Sequence, residues 1–343
     1  IRFWGGDLIQ EVGGTLVKHY RELAFMGFAE VILNLRVILG NIKFCKKDIL
    51  EFKPDVLVLI DYPGFNMRIA EFAKKHGIKI HYYISPQIWA WKENRIHKIK
   101  RDVDEMYVIL PFEKEFYEKK HNFPVHFVGH PLIDAISKRK QVREQNFREK
   151  HQLTTKPIIA LLPGSRKQEI KKLLAVMLKM PAKFSNFQFV IAGAPSQEFD
   201  FYKPFIKKEN VKFISNKTYD LLSISYAAIV TSGTATLETA LFKVPEIVCY
   251  KTSWLSYQIG KRLVNLKYIS LVNLIMNKEV VTELIQEDFN EERLEKELNK
   301  ILNEKNRKEM FSNYFELETI LGGKGASDKV ANLIITKNAD LSK

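Results

Sequence analysis

The stretch that most constrains the fold is Ala228–Tyr250, AIVTSGTATLETALFKVPEIVCY. The apolar run Ala227–Val230 reads as a buried strand. It meets a small-residue turn, Thr231-Ser232-Gly233-Thr234, and then a predicted helix, Ala235–Phe242, carrying Glu238. Lys243-Val244-Pro245 breaks that helix, and a second β-branched run follows. Strand, turn, helix and strand in this order form the repeating unit of a doubly wound sheet. The turn sets free backbone N–H groups, hydroxyls and a helix N-terminus at the carboxyl end of a strand. Such a place suits a phosphate, because the helix-end partial charge and the unpaired donors both meet the anion. One turn into the helix, Glu238 is placed to accept hydrogen bonds from a ribose diol. The same residues also make an ordinary capped helix with a solvated Glu, and this stretch alone does not choose between the two.

The alternation extends over most of the 343 residues. Predicted strands fall at Ile1–Trp4, Val56–Ile60, Ile78–Ile84, Met106–Leu110 and Val125–Val128, with helices at Ala29–Phe52, Asn66–His76 and Lys92–Arg101 among them. After Ser137–Lys156, which is polar and lacks an apolar period, the alternation restarts at Ile158–Leu162. Helices separating apolar strands imply parallel sheets covered on both faces. The reading is an α/β chain of two Rossmann-like domains facing a cleft. Its expected divisions are residues 1–140, a linker at 141–156, a second domain at 157–325, and a C-terminal helix and tail at 326–343.

Lys plus Arg exceed Asp plus Glu by 54 − 40 = 14. A basic surface of this kind attracts nucleic acid, anionic lipid or phosphorylated substrates. No nucleic-acid-binding signature accompanies the charge. Cys45 and Cys249 stand far apart in the chain, without metal-ligand or disulfide-framework spacing, which implies a reduced compartment. The eight histidines suggest no metal cluster. The longest near-apolar run, Leu23–Leu39, is interrupted by Glu30, Asn34 and Arg36, too polar for a membrane span.

Four further places carry candidate chemistry. In Leu162-Pro163-Gly164-Ser165-Arg166 a strand runs into a Gly-Ser turn, and Arg166 follows where a guanidinium can neutralise a diphosphate. Neither this turn nor Ser232-Gly233-Thr234 fits the P-loop pattern, and no G-x-G-x-x-G is present, which disfavours ATP hydrolysis and nicotinamide chemistry. Asp61 ends the apolar strand Val56–Ile60, where α/β sheets bind ligands; it reads as a general base or as a helix cap. His130, in Gly129-His130-Pro131, reads as an orienting group or, more simply, as a hydrogen-bonded structural histidine. Trp89-Ala90-Trp91 with Lys92 and Arg95 joins aromatics to cations, which suits a sugar phosphate or a membrane interface, or else a core tryptophan beside a solvated helix. The apolar stripe with lysines at Ala29–Phe52 points towards lipid.

Together these segments resemble the lipid-A-disaccharide synthase family, glycosyltransferases of the GT-B type. The resemblance rests on Ile60-Asp61-x-Pro63-x-Phe65-Asn66, Ser85-Pro86-x-x-Trp89-Ala90-Trp91, Pro111-Phe112-Glu113 and Phe127-Val128-Gly129-His130. It continues through Leu162–Arg166, Ser232-Gly233-Thr234-Ala235-x-Leu237-Glu238 and Ser270-Leu271-x-Asn273-Leu274, in family order over nearly the whole chain. It implies transfer of 2,3-diacylglucosamine from its UDP conjugate to 2,3-diacylglucosamine 1-phosphate, with inversion, giving the lipid A disaccharide 1-phosphate and UDP. By the same resemblance Asp61 is the catalytic carboxylate. Gly164, Ser165, Arg166, Ser232, Gly233, Thr234, Glu238 and Asn273 hold the donor, and Trp89, Trp91, Lys92, Arg95 and His130 belong to the acceptor or membrane side. No metal or other cofactor is implied. A peripheral place on the cytoplasmic face of the inner membrane is, and a homodimer is the assembly it allows. The family's opening strand, Gly-Glu-x-Ser-Gly-Asp turn and helix have no counterpart before Ile1, so a fragment lacking part of the acceptor site is expected. Gly64 stands where the family often has an acid, and Val272 where a Pro is usual. The alternatives are another UDP-sugar enzyme of this build, such as a muramyl-peptide N-acetylglucosaminyltransferase or a 2-epimerase, or an inactive membrane-associated protein.

Overall fold

In a computed structural model of the chain, residues 1–22, 34–206, 210–253, 257–258 and 266–339 are described. The expected beginning of a helix at Ala29, and most of the Leu23–Leu39 run, lie outside them. The chain divides into two units. One joins Ile1–Pro86, Asn94–Tyr107 and the chain end from Ile334; the other joins Gln87–Glu93 and Val108–Leu333.

In the first unit, β1 (Arg2–Gly5) and β2 (Thr15–His19) pair in parallel as a sheet of their own. Strands β3 (Val56–Ile60), β4 (Lys79–Tyr83) and β5 (Glu105–Val108) also pair in parallel, with β4 between the other two. Strand β4 buries Ile80, His81 and Tyr82 completely. Strand β3 is apolar at every position, yet Val58 and Ile60 stay 41% and 52% exposed. Two-sided burial was expected of such a run. Here β3 is the end strand of its sheet, with one strand neighbour among the described residues. The helix Leu35–Phe52 buries Asn41, Ile42, Cys45, Asp48 and Ile49, positions that share one face at helical spacing. Its buried Asp48 is paired with Arg2 and accepts from the Trp4 indole. The helix stops at Lys53, which adopts a left-handed conformation at φ 50°.

In the second unit, the short β6 (His126–Phe127) precedes a six-stranded sheet. Its strands are β7 (Ile158–Leu162), β8 (Gln188–Gly193), β9 (Val211–Ser215), β10 (Ser225–Thr231), β11 (Glu246–Tyr250) and β12 (Thr282–Ile285). All pairings are parallel, in the order β12-β11-β10-β7-β8-β9. Because side chains alternate along a strand, β7 feeds two apolar layers. Ile159 and Leu161 pack with the helix Lys167–Met177 and the C-terminal helices, while Ile158, Ala160 and Leu162 pack with Phe147, Leu221 and Leu222. Burial on both faces explains why β7 and β8 are buried at every residue.

Residues 141–156, expected as a linker, belong to this second unit. They carry a helix, Glu144–Lys150, whose Phe147 is buried in the second apolar layer. A single apolar residue, Phe147, anchors that helix, too little for an apolar period to show in the sequence.

From β7 the chain moves outward through β8 to β9, then returns to place β10 on the other side of β7 and moves outward through β11 to β12. The turns after β7 and β10 therefore sit at the topological switch point, where open α/β sheets leave a crevice beyond the strand ends.

Candidate active site

At the switch point two glycine-bearing turns lie side by side. After β7, Gly164 has φ +90°, a backbone state that glycine enters without penalty. A Cβ there would come within 3.1 Å of the Thr231 methyl at the end of β10, so the two turns are in close contact. After β10, Gly233 has φ +149° and precedes the helix Thr234–Leu241, with open space where its Cβ would stand. Gly233 and Thr234 are exposed, so the backbone there is accessible to an incoming anion. Ser232 uses its hydroxyl to donate to the Ile269 carbonyl at 3.0 Å, which braces the turn. The Ser165 carbonyl accepts from Ser196 Oγ and Gln197 Nε2, both at 3.2 Å. Arg166 begins the helix Lys167–Met177; its guanidinium is mostly exposed and rests on Glu169 at 2.9 Å. Exposed pairs of this kind contribute little, so a diphosphate can compete for the guanidinium.

Glu238 is half-buried on the helix after Gly233 and accepts a 2.9 Å hydrogen bond from the Tyr219 hydroxyl. Burial raises its carboxyl pKa, and the Tyr219 bond opposes that rise. Tyr219 also lines an open depression of about 380 Å³ with Pro195, Asn216, Lys217, Thr218 and Asp220. No motif in the sequence singles out Tyr219. Its position, in the loop and helix after β9, obeys the same strand-end rule that picked out the other turns.

Three expected site residues have other work. Asn273, expected on the donor side, is fully buried. Its amide nitrogen donates to the Val281 carbonyl and Glu283, and its oxygen accepts from the Val280 and Val281 N–H groups. An amide with both ends satisfied inside the protein braces the turn into β12 and has nothing left for a ligand. His130, placed with the acceptor or membrane side, caps the helix Pro131–Lys138 by accepting from the Leu132 N–H at 3.2 Å. Burial pushes its pKa down to about 4, so it is neutral at physiological pH. Trp89 packs edge-on against Phe112 and donates its indole N–H to the buried Glu113 at 3.1 Å. Trp91, two residues on, is 42% exposed with the Lys92 ammonium 4.3 Å from its ring centre. Arg95 stands half-buried at the start of the helix Ile96–Asp102.

In the first unit, Asp61 follows β3 directly and is exposed. Both Asp61 and Tyr62 take left-handed backbone, at φ 46° and 45°. Such a state costs a non-glycine residue about 1–3 kcal/mol. The helix Pro63–Lys75 has Tyr62 as its N-cap, without a side-chain capping bond, so Asp61 does not serve as that cap. Desolvation raises the Asp61 carboxyl pKa, with the Tyr62 backbone hydrogen bond acting against it. Among the described residues no three His, Cys, Asp or Glu side chains cluster as metal ligands do.

The geometry has the company of known proteins. The lipid-A-disaccharide synthetase family matches residues 1–332. The lipid-A-disaccharide synthase of Syntrophus aciditrophicus is 41% identical over 350 residues, covering 98% of this chain and 90% of that protein. Among solved structures, the Neisseria meningitidis UDP-GlcNAc 2-epimerase bound to UDP-GlcNAc superposes with a TM-score of 0.65 at 14% identity, covering 94% of this chain and 86% of that one. The kitacinnamycin glycosyltransferase superposes at 0.62 and 12% identity, covering 95% and 87%. The two structures share the GT-B fold with this chain, and at such identities they speak for the fold alone. The family match and the sequence relative go further: this chain belongs to the lipid-A-disaccharide synthase family, glycosyltransferases that form the lipid A disaccharide.

Proposed function

We propose that this chain transfers 2,3-diacylglucosamine from UDP-2,3-diacylglucosamine to the 6-hydroxyl of 2,3-diacylglucosamine 1-phosphate, inverting the anomeric centre and releasing UDP. The observation that supports it most is the pair of glycine turns meeting at the β7–β10 switch point. In this reading the diphosphate rests on the backbone of Gly164-Ser165 and Ser232-Gly233-Thr234, with Arg166 leaving Glu169 to bind it. Glu238, oriented by Tyr219, accepts from the ribose hydroxyls. As the bond to the anomeric carbon forms, the sugar–oxygen bond to UDP breaks, and the acceptor hydroxyl gives its proton to Asp61. The raised pKa of Asp61 brings it closer to the basicity a general base needs near neutrality. Donor and arginine contacts stabilise the charge that develops on the departing diphosphate.

We assign the donor to the second unit and the acceptor to the first. Among the described residues no helix is long and apolar enough to cross a membrane. The helix Leu35–Phe52 nevertheless exposes Leu35, Val37, Leu39, Phe44, Leu50 and Phe52 beside Arg36, Lys43 and Lys47. Apolar side chains among cations suit the surface of an anionic bilayer, where acylated substrates reside. In this reading that face rests on the cytoplasmic leaflet of the inner membrane.

The test is UDP release from both diacylglucosamine substrates in mixed micelles, together with the melting temperature in UDP. Ligand at 100 times Kd stabilises by about 2.7 kcal/mol, enough to read as a shift. Turnover with UDP protection, and weaker protection in Arg166→Ala, supports the reading. Protection without turnover keeps the donor site and removes the acceptor. Absence of both turnover and UDP protection sinks the proposal.

A further inference from the structure

We propose that Asn66 and Tyr82 are positioning residues for Asp61, holding the backbone turn that presents its carboxylate. The inference rests on reading Asp61 as the base and adds two residues to it.

Two consecutive left-handed residues at the end of a strand need something to hold them. Asp tolerates that region, but tyrosine rarely enters it, and Tyr62 has φ 45° and ψ 55°. Neither position is a glycine, and Gly64 lies beyond the turn. The hold comes from two side chains. Asn66 Nδ2 donates both of its hydrogens to backbone carbonyls, to Ile60 at 3.0 Å and to Asp61 at 2.7 Å. The Tyr82 hydroxyl donates to the same Asp61 carbonyl at 2.7 Å. That oxygen therefore accepts two bonds, while the Asp61 N–H donates to the Tyr83 carbonyl at 2.9 Å. The main chain of Asp61 is thus tied to β4 and to the helix Pro63–Lys75 at once.

Each partner is itself fixed. Asn66 lies in the first turn of its helix and is bonded through its own N–H to the Tyr62 carbonyl at 3.0 Å. Tyr82 is fully buried in β4, opposite Leu59 of β3, so its ring cannot swing away without disturbing the sheet. A bidentate amide and a buried phenol converge on two successive carbonyls at the end of β3. A strand continuing past Ile60 would keep Asp61 in the pleat; the held turn takes it out. A base displaced by about 1 Å loses on the order of a hundredfold in rate, so this bracing bears on turnover directly.

The experiment compares UDP release by the parent, Asn66→Ala, Tyr82→Phe, the double variant and Asp61→Asn, with both substrates varied and pH scanned. The expected result for Asn66→Ala is a kcat lower by about a hundredfold with KM for both substrates within twofold. Tyr82→Phe, which keeps the ring, loses about tenfold, since one of two bonds to the carbonyl remains. A released carboxyl gains water, so the acid limb of kcat/KM in Asn66→Ala moves to lower pH. Folding is controlled by the UDP-induced rise in melting temperature, which should match the parent. Turnover within twofold of the parent in both single variants overturns the proposal. So does a loss of rate with the acid limb unmoved, which would mark the two residues as merely structural. Near-normal turnover in Asp61→Asn removes the underlying base instead. A dead Asp61→Asn beside a fully active Asn66→Ala removes the positioning role alone.

Discussion

The turn after β3 and the turns after β7 and β10 occupy the same kind of place, the carboxyl end of a parallel strand, and are built in opposite ways. After β7 and β10 the positive backbone angles belong to glycines, and the surface offered is main chain. After β3 they belong to Asp61 and Tyr62, and the feature offered is a side chain. Glycine gives close approach to a ligand at the backbone and needs little external support. A residue that must present a carboxylate from a left-handed turn keeps its Cβ and accepts the strain. It needs Asn66, Tyr82 and the β4 ladder to stay there. A turn that offers main chain is made by omission, whereas a turn that offers a side chain has to be braced.

The largest break in this comparison is Asp61→Asn. Loss of a general base lowers kcat by about 10²–10⁴-fold, while UDP protection in the second unit stays intact. Loss of UDP protection along with turnover would remove the division of labour between the units. Asn273→Ala comes next and separates bracing from binding. It strands the buried Val280 and Val281 N–H groups, costing about 2–3 kcal/mol in urea unfolding. UDP affinity per folded molecule should not change; a selective loss of affinity would return Asn273 to the donor site. Gly164→Ala tests the glycine turns. Its Cβ meets Thr231 at φ +90°, costing about 1–2 kcal/mol and weakening UDP protection. An Ala variant binding UDP as the parent does would show that this backbone does not carry the diphosphate.

The smallest effect at neutral pH compares two carboxyls whose pKa burial raises. Asp61 lies at the surface with its carboxyl only partly desolvated, whereas Glu246 at the start of β11 is wholly buried, and among the described residues neither of its oxygens finds a hydrogen-bond partner. Folding makes Glu246 hold its proton more tightly than the unfolded chain does. Its stability contribution is therefore complete below the ordinary carboxylate value of 4.5 and is lost as pH rises towards its raised folded value. Urea unfolding from pH 5 to 9 should show the parent losing stability relative to Glu246→Gln. Parallel curves would mean that Glu246 is not buried as a lone acid.

Much of this was legible in the residues. Continuous apolar runs at Ile158–Leu162 and Ala227–Val230 announced strands buried on both faces, because no alternation is needed where both sides are covered. Gly-Ser and Ser-Gly-Thr after such runs announced phosphate-suited turns. The unread parts share a cause. Trp89 and Trp91 are two residues apart and look alike on paper, but one finds Glu113 and Phe112 while the other meets solvent and Lys92. Asn273 read as a ligand residue until its four backbone and side-chain partners were in place. Phe147 anchored a helix in what read as a linker.

By itself the sequence determined the class of fold, the strand ends where chemistry is possible, and the residue types offered there, since period, apolarity and turn composition are local properties. The tertiary structure alone decided which polar groups are already spent. It set the β7 and β10 turns side by side, gave Glu238 its Tyr219, and turned Asn66 and Tyr82 onto the backbone of Asp61. Hydrogen bonds between residues distant in the chain depend on register and layer order, and no local pattern of side chains encodes those.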